Sequence, residues 1–430
     1  MAKAKKKEIT IEEALVPAEE QPYEVPENWC WVKALSVLEI EYGKGISTKE
    51  LVSDGYPVFG ANGLIGYYSE YMFGEEMALM SCRGAYSGVM NLSVPFSFVT
   101  SNSLVMNNRG AFVSSRFIYY LFKALDTHLL VSGSAQPQVT VQAFNDYFLP
   151  IPPVPEQQRI VERIESLFSK LDEAKEKAQE ALESFEIRKK SIIHKAFTGK
   201  LTAEWRNQNG VSLDTWGKMV LGDVCESIYD GDHMPPPKSE NGIPFLVISN
   251  VNDGYLSFDN TRFVPEDYYN SLSDSRKPKK GDVLYTLVGS YGIPVVVDTD
   301  KAFCFQRHMG LLKPQLVDTY FLWYQLQSDV VYEKATAIAT GTAQLTVPIR
   351  GLRKIEIAVP TMDEQKEIVR ILDEIFTKEE KQKKNTARVI EQINVLKKSV
   401  LSKAFRGKLG TNDPSEGSAE ELLKSILQQS

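Results

Sequence analysis

The stretch EQQRIVERIESLFSK, residues 156–170, returns as EQKEIVRILDEIFTK at residues 364–378, 208 positions further along. The register holds without a gap to the end of KAFTGKL (195–201) and its counterpart KAFRGKL (403–409). Over those 46 aligned positions 17 are identical, and many others exchange one aliphatic residue for another. Upstream, Gly133, Ala135 and Gln136 fall on Gly341, Ala343 and Gln344 in the same register. Chance does not keep one register that long, so a unit has been duplicated in tandem.

The best-preserved part of that unit reads as a long helix. In the first copy the apolar positions run Ile160, Ile164, Leu167, Leu171, Ala174, Ala178, Ala181 and Phe185, then Arg188 as an exception, then Ile192. Steps alternating four and three are the seam of a coiled coil. The second copy keeps the spacing with Ile368, Leu372, Ile375, Val389, Ile393, Leu396 and Val400, and puts polar Glu379, Gln382 and Thr386 on its middle. Pro155 marks the start of the first helix, and Gly199 and Gly407 stand where a left-handed residue would stop each one. About 40 residues of helix would span roughly 60 Å. Such a helix needs a partner for its stripe, and two copies in one chain predict that they pair with each other, antiparallel, about a pseudo-two-fold axis.

The segments before the helices differ in character. Runs such as YPVFGANGLIGYYSEYMF in the first and GDVLYTLVGSYGIPVVV in the second predict short strands and glycine-rich loops. Only traces of likeness join them: RGAYSG at Arg83 against VGSYGI at Val288, and Trp29 against Trp216. The fold class expected is therefore α+β, two α/β domains alternating with two long paired helices. Expected boundaries are a tail at 1–27, domains at 28–152 and 213–360, helical segments at 153–212 and 361–410, and a second tail at 411–430. Within that last tail, SAEELLKSIL has the pattern of a short amphipathic helix and a subunit contact, or else of a flexible end.

Composition narrows the function. Four scattered cysteines without a CxxC pair point to a reducing, cytoplasmic setting rather than to a zinc site or disulfide framework. The basic start of the chain is followed by acidic residues where a signal peptide would need an apolar run. No phosphate-binding GxxxxGK[ST] loop is present, the four histidines lack metal-ligand spacing, and the glycines of FGANGLIG do not make a nucleotide fingerprint. No catalytic residue, metal or cofactor is expected. Cations do gather on SRKPKKGD (Lys277, Lys279, Lys280) and on the two helix ends (Lys189, Lys190, Lys195; Lys397, Lys398, Lys403). These are candidates for phosphate contact, or else a solvated face complementing the helix dipoles. A net charge of −7 is not that of a freestanding nucleic-acid binder.

The chain resembles the DNA-specificity subunit of type I restriction–modification systems, from about Trp29 to Leu409. The residues that carry the resemblance are PIPPVPEQQRIVERIESLF, RKKSIIHKAFTGKL, AVPTMDEQKEIVRILDEIF, KKSVLSKAFRGKL, GSAQ, GTAQ and GYPVFGANGLIGYY. The resemblance implies two target-recognition domains, each reading half of a bipartite double-stranded DNA sequence, with the paired helices setting an unread gap. It also implies a subunit without activity of its own. Its partners would be modification (methyltransferase) subunits, two of them, which methylate adenine, and ATP-driven restriction subunits. No membrane is involved. On that reading, base contacts are expected from Asn62, Arg83, Tyr86, Gln136 and Gln138 in the first domain. In the second they are expected from His233, Lys238, Asn250, Ser290, Arg307 and Gln344, because amide and guanidinium groups match base edges. The same architecture could serve a solitary methyltransferase or another defence complex, and the helices alone would permit a coiled-coil adaptor.

Overall fold

The protein is described by a computed structural model at residues 9–108, 112–231 and 236–428. The chain divides into two compact units, one of residues 1–178 and 388–430, the other of residues 179–387. Each unit therefore holds one α/β domain, the start of the long helix that follows it, and the end of the other long helix.

In the first unit the strands are β1 (Cys30–Lys33), β2 (Leu38–Tyr42), β3 (Tyr56–Gly60), β4 (Gly63–Tyr68), β5 (Ala78–Ser81), β6 (Met90–Leu92), β7 (Phe98–Val99), β8 (Ser103–Asn108), β9 (Val131–Ser132), β10 (Gln138–Val139) and β11 (Phe148–Ile151). They form a four-stranded sheet β2-β8-β5-β6, a three-stranded sheet β4-β3-β7, and the pairs β1-β11 and β9-β10. The second unit has β12 (Gly217–Val220), β13 (Cys225–Asp230), β14 (Ile243–Leu246), β15 (Arg262–Val264), β16 (Val283–Thr286), β17 (Pro294–Val296), β18 (Cys304–Phe305), β19 (Met309–Pro314) and β20 (Glu356–Val359). Its sheets are β13-β19-β16-β17, β15-β14-β18 and β12-β20. Apart from the β9-β10 pair, whose place is taken by the isolated bridge Thr340–Thr346, this repeats the first unit, down to the single parallel pairing in each three-stranded sheet (Val58 with Phe98, Phe245 with Cys304). Two domains that share only traces of sequence thus share a topology, because the alternation of short apolar runs is retained while the side chains between them are not.

The two long helices are Val154–Phe197, 44 residues, and Met362–Ala404, 43 residues. Pro155 lies inside the first turn rather than before it, where its missing N–H would have no helical partner anyway. Gly199 and Gly407 do take positive φ, +75° and +66°. The pairing is antiparallel: in the first unit Asp172 meets Lys397 at 2.5 Å, and in the second Glu186 meets Lys383 at 3.0 Å and Arg188 meets Glu379 at 3.4 Å. Arg188 and Glu379, one polar interruption from each stripe, are thus partners, a register device of the kind coiled coils use. Burial along the stripe is uneven. Ile160, Ile164, Ile368 and Leu372 are fully buried, whereas Val389 and Leu396, expected in the seam, are 43% and 50% exposed.

The heptapeptide does more than stop a helix. Ala196 is buried and Phe197 packs in the core of the second unit, with Phe197 edge-on to Phe321 at 5.4 Å between ring centroids. Ala404 and Phe405 enter the core of the first unit, Phe405 edge-on to Phe117 at 5.3 Å. Each helix end is thereby docked on an α/β domain by an aromatic pair.

A buried carboxylate completes each joint. Glu156 accepts from the Trp29 indole at 2.8 Å and from the Asn412 amide at 2.9 Å. Glu364 accepts from the Trp216 indole at 2.9 Å, from Thr202 at 2.6 Å and from Arg206 at 2.6 Å. The next residue is used alike in both units: the Gln157 amide donates to the carbonyls of Phe112 and Pro152, and Gln365 to that of Pro360. This explains why Glu–Gln opens both repeats. The carboxylate ties the domain's first tryptophan to the tail of the other helix, and the amide ties the helix to the loop before it.

The segments outside the repeat belong to the first unit. Ala14 is buried and Leu15 bridges Val32 of β1. The stretch written as SAEELLKSIL is helical at Ala419–Leu427, with Ala419 and Leu423 in the same core. Arg159 grips this tail through both oxygens of Glu416, at 2.7 and 2.8 Å.

Candidate nucleic-acid interface

Every strand of the four-stranded sheet carries buried apolar side chains, and the polar groups gather where β5 or β16 ends. In the first unit three turns meet there. The β3–β4 turn holds Asn62, and its Ala61 carbonyl accepts from the Ser81 hydroxyl. After β5 the chain makes a backbone bridge between Arg83 and Gln138, flanked by Gly84 N–H to Pro137 O at 2.9 Å and Val139 N–H to Cys82 O at 3.0 Å. Gly84 then turns with φ +76°, a conformation that favours glycine. The third turn is GSAQ, where Gly133 has φ +82° and a Cβ would stand 2.8 Å from the Gln136 carbonyl. Asn62, Arg83, Tyr86, Gln136 and Gln138 are all exposed, and the turns bring them to one edge.

The second unit builds the same edge differently. Val288 bridges Thr346, and Gly289 N–H donates to Leu345 O at 3.0 Å, so Val288 and Thr346 occupy the places of Arg83 and Gln138. GTAQ repeats the turn, with Gly341 at φ +109° and its missing Cβ 2.5 Å from the Gln344 carbonyl. The Gln344 side chain lies over Gly289, where a Cβ would be 3.0 Å from its amide nitrogen. The counterpart of Tyr86 is Tyr291, which is buried, stacked on Tyr332 and hydrogen-bonded to Thr336 at 2.9 Å. Ser290 and Gln344 are exposed at this edge.

One expectation for this domain changes. The Asn250 amide is buried, accepting from Val247 N–H at 3.0 Å and donating to Asp259 O at 3.1 Å. It shapes the loop between β14 and β15 and has no face left for a base. That loop replaces the tight β3–β4 turn and presents Tyr255, 61% exposed, a residue the sequence reading passed over. His233 lies outside the described residues. Lys238 is exposed beside Ser239, which bridges Phe263 of β15.

Arg307 stands on the turn between β18 and β19. That turn is held by Gln306 N–H to Leu246 O at 2.9 Å and by Leu287 N–H to His308 O at 2.8 Å, which seats it directly against the start of the Val288 loop. The equivalent bond in the first unit is Cys82 N–H to Asn102 O at 2.9 Å, so the counterpart of Arg307 is Ser101. Burial, with help from the Arg307 charge, pushes the neighbouring His308 imidazole below its ordinary pKa.

The cationic candidates divide into four groups. Lys397 is a seam residue, its ammonium held by Asp172 and lying 4.8 Å over the Phe168 ring, and it is withdrawn as a phosphate contact. Lys189 lies 5.9 Å from the centre of the Phe376 ring and Lys190 is 3.8 Å from Asp329. Lys195, Lys398 and Lys403 are exposed along the helix ends. Lys277, Lys279 and Lys280 sit at the start of β16, the opposite end of that strand from the Val288 loop. Lys277 is tied to Asn270 O and Asp274, and the turn is stapled from beneath by the buried pair Lys313–Asp282 at 2.7 Å. In the first unit the matching turn carries Glu75 and Glu76 instead, Glu76 pairing with Arg116. Among the described residues there is no cluster of metal-ligating side chains, and no helix is long and apolar enough to cross a membrane.

Residues 26–184 and 214–389 each match the type I restriction modification DNA specificity domain. The specificity subunit of the type I restriction enzyme EcoBI from Escherichia coli is 24% identical over 94% of this chain and 92% of its own length. The HsdS subunit from Thermoanaerobacter tengcongensis superposes with a TM-score of 0.58 at 21% identity, over 90% of this chain and 99% of that one. A chain solved in a study of assembly and conformational transition of the type I R-M system gives 0.67 over 90% and 100%. With two specificity domains that together span most of its length, the chain belongs to the type I restriction–modification DNA specificity family.

Proposed function

We propose that this chain is the DNA-recognition subunit of a type I restriction–modification complex, catalytically silent and cytoplasmic. Each unit reads one half of a bipartite duplex target with the edge formed beyond β5 or β16. The paired helices, each roughly 65 Å long at 1.5 Å per residue, hold the two readers apart and leave a gap unread. Two modification subunits supply adenine methylation, and restriction subunits supply cleavage of unmodified DNA. Basic surface on those partners offsets the −7 charge of this chain.

The observation that carries this reading is one platform built twice with different side chains at the same edge: Arg83 and Gln138 in one unit, Val288 and Thr346 in the other. A scaffold protein has no need to conserve the frame while varying the rim. The test is to co-express the chain with its modification subunit and map modified adenines across the host genome. One split motif with a fixed gap is expected. A stable complex that leaves DNA unmethylated would overturn it.

A further inference from the structure

Resting on that reading, we infer that each half of the target contains a guanine read by a single guanidinium, Arg83 in the first unit and Arg307 in the second, presented from turns that are not equivalent. Arginine is the residue whose planar fork matches guanine O6 and N7 in the major groove. Both side chains are exposed, and among the described residues neither has a hydrogen bond or ion pair.

Both also grow from rigid backbone, as discrimination between bases requires. Arg83 has extended backbone, φ −143° and ψ 144°, and its neighbours on both sides are bonded to the Pro137–Val139 strand. The Arg307 turn is locked to β14, and Gly231 packs so closely on it that a Cβ would lie 2.2 Å from Phe305 O and 2.8 Å from Arg307 N. The first unit repeats that close approach, with Gly43 against the carbonyls of Val99 and Thr100, yet carries Ser101 where the arginine would be. Conversely the second unit keeps the Arg83 bridge but puts Val288 there. The guanidinium has moved from one turn to the turn hydrogen-bonded beside it.

That reciprocal exchange separates base reading from phosphate contact. The DNA backbone is the same in both halves of any target, so domains of one fold would hold it from equivalent positions. A base to be read is different in each half, and its reader moves with it. Neighbouring strands lie about 4.8 Å apart, against a rise of 3.4 Å per base. The two guanines should therefore stand about one to two base pairs apart when the half-sites are aligned on their modified adenines.

The experiment uses the full chain in complex with its modification subunits. The methylated motif is mapped for the unaltered chain and for Arg83→Ala, Arg83→Lys, Arg307→Ala and Arg307→Lys. We expect one guanine in each half, at displaced positions. Each Ala or Lys variant should lose about 10- to 100-fold discrimination at that guanine alone, leaving the other half strict. Lysine keeps the charge but not the fork, so rescue by lysine, a uniform loss over all sequences, or a half-site without guanine would overturn the inference. An unaltered chain that gives no split motif would instead overturn the proposed function itself.

Discussion

The two joints of the molecule make the same connection with different chemistry. At one, Glu364 is fully buried against Arg206, itself 8% exposed, with Trp216 and Thr202 completing the shell. At the other, Glu156 is equally buried but its hydrogen-bond donors among the described residues are uncharged, the Trp29 indole, the Asn412 amide and, at 3.3 Å, the Thr411 hydroxyl, and the Arg159 cation acts on it through its charge without a hydrogen bond. The difference teaches that the duplicated frame constrains where a carboxylate and a tryptophan must meet, and leaves open what supplies the third side of the shell. The tails after the two helix ends are where the copies were free to diverge.

The contrast can be broken most forcefully at the charged joint. Arg206→Leu should cost about 3–5 kcal/mol, because it strands a buried carboxylate, and a denaturant melt of the chain would register it as early loss of the second unit. Asn412→Ala at the uncharged joint should cost about 1–2 kcal/mol, a lost hydrogen bond to a charged group. Equal losses would mean that the ion pair at Glu364 contributes nothing particular.

Next come the docked aromatics. Phe405→Ala removes a side chain only 1% exposed and should cost about 3–4 kcal/mol. Phe197→Ala, at a half-buried position, should cost less. Thermal melts of the two variants would rank them.

The buried thiols sharpen the comparison of cores through pH. Burial pushes Cys30 in the first unit, and Cys225 and Cys304 in the second, up to about 12 from an ordinary value of 9.0. The unfolded chain ionises first, so their contribution is whole below pH 9 and falls as pH rises from there toward 12. Each would remove about 1.4 kcal/mol per pH unit in that window, and because burial raises Cys82 in the first unit by a smaller step, the second unit should lose stability faster. Alkylation that proceeds at the same rate in native and unfolded protein would contradict this. The smallest effects belong to the seam. Asp172→Asn or Glu186→Gln should each cost no more than about 1 kcal/mol and be masked by salt.

Much of this frame was legible in the residues. The 208-residue register announced the helices, their stops at Gly199 and Gly407, and their pairing, because helical periodicity is a local property that survives duplication. The glycine–glutamine turns were visible for the same reason: a glycine at positive φ is one of few solutions there. What stayed hidden depends on residues brought together by the fold. Nothing in the spacing of Trp29 and Glu156, or of Arg206 and Glu364, tells that they bond. The burial of Asn250 was hidden in the same way, since a loop asparagine reads alike whether its amide faces a base or its own backbone. Val389 and Leu396 show the converse: the stripe predicted a covered seam, and both side chains stay exposed.

The central claim is that two equivalent platforms read different half-sites because only their rims differ. It is tested most directly by replacing residues 213–360 with a second copy of residues 28–152 and mapping methylation by the resulting complex. Antiparallel pairing of the helices predicts a target whose two halves are inverted copies of one another, separated by the original gap. A well-assembled complex that still methylated the original asymmetric motif would contradict the account.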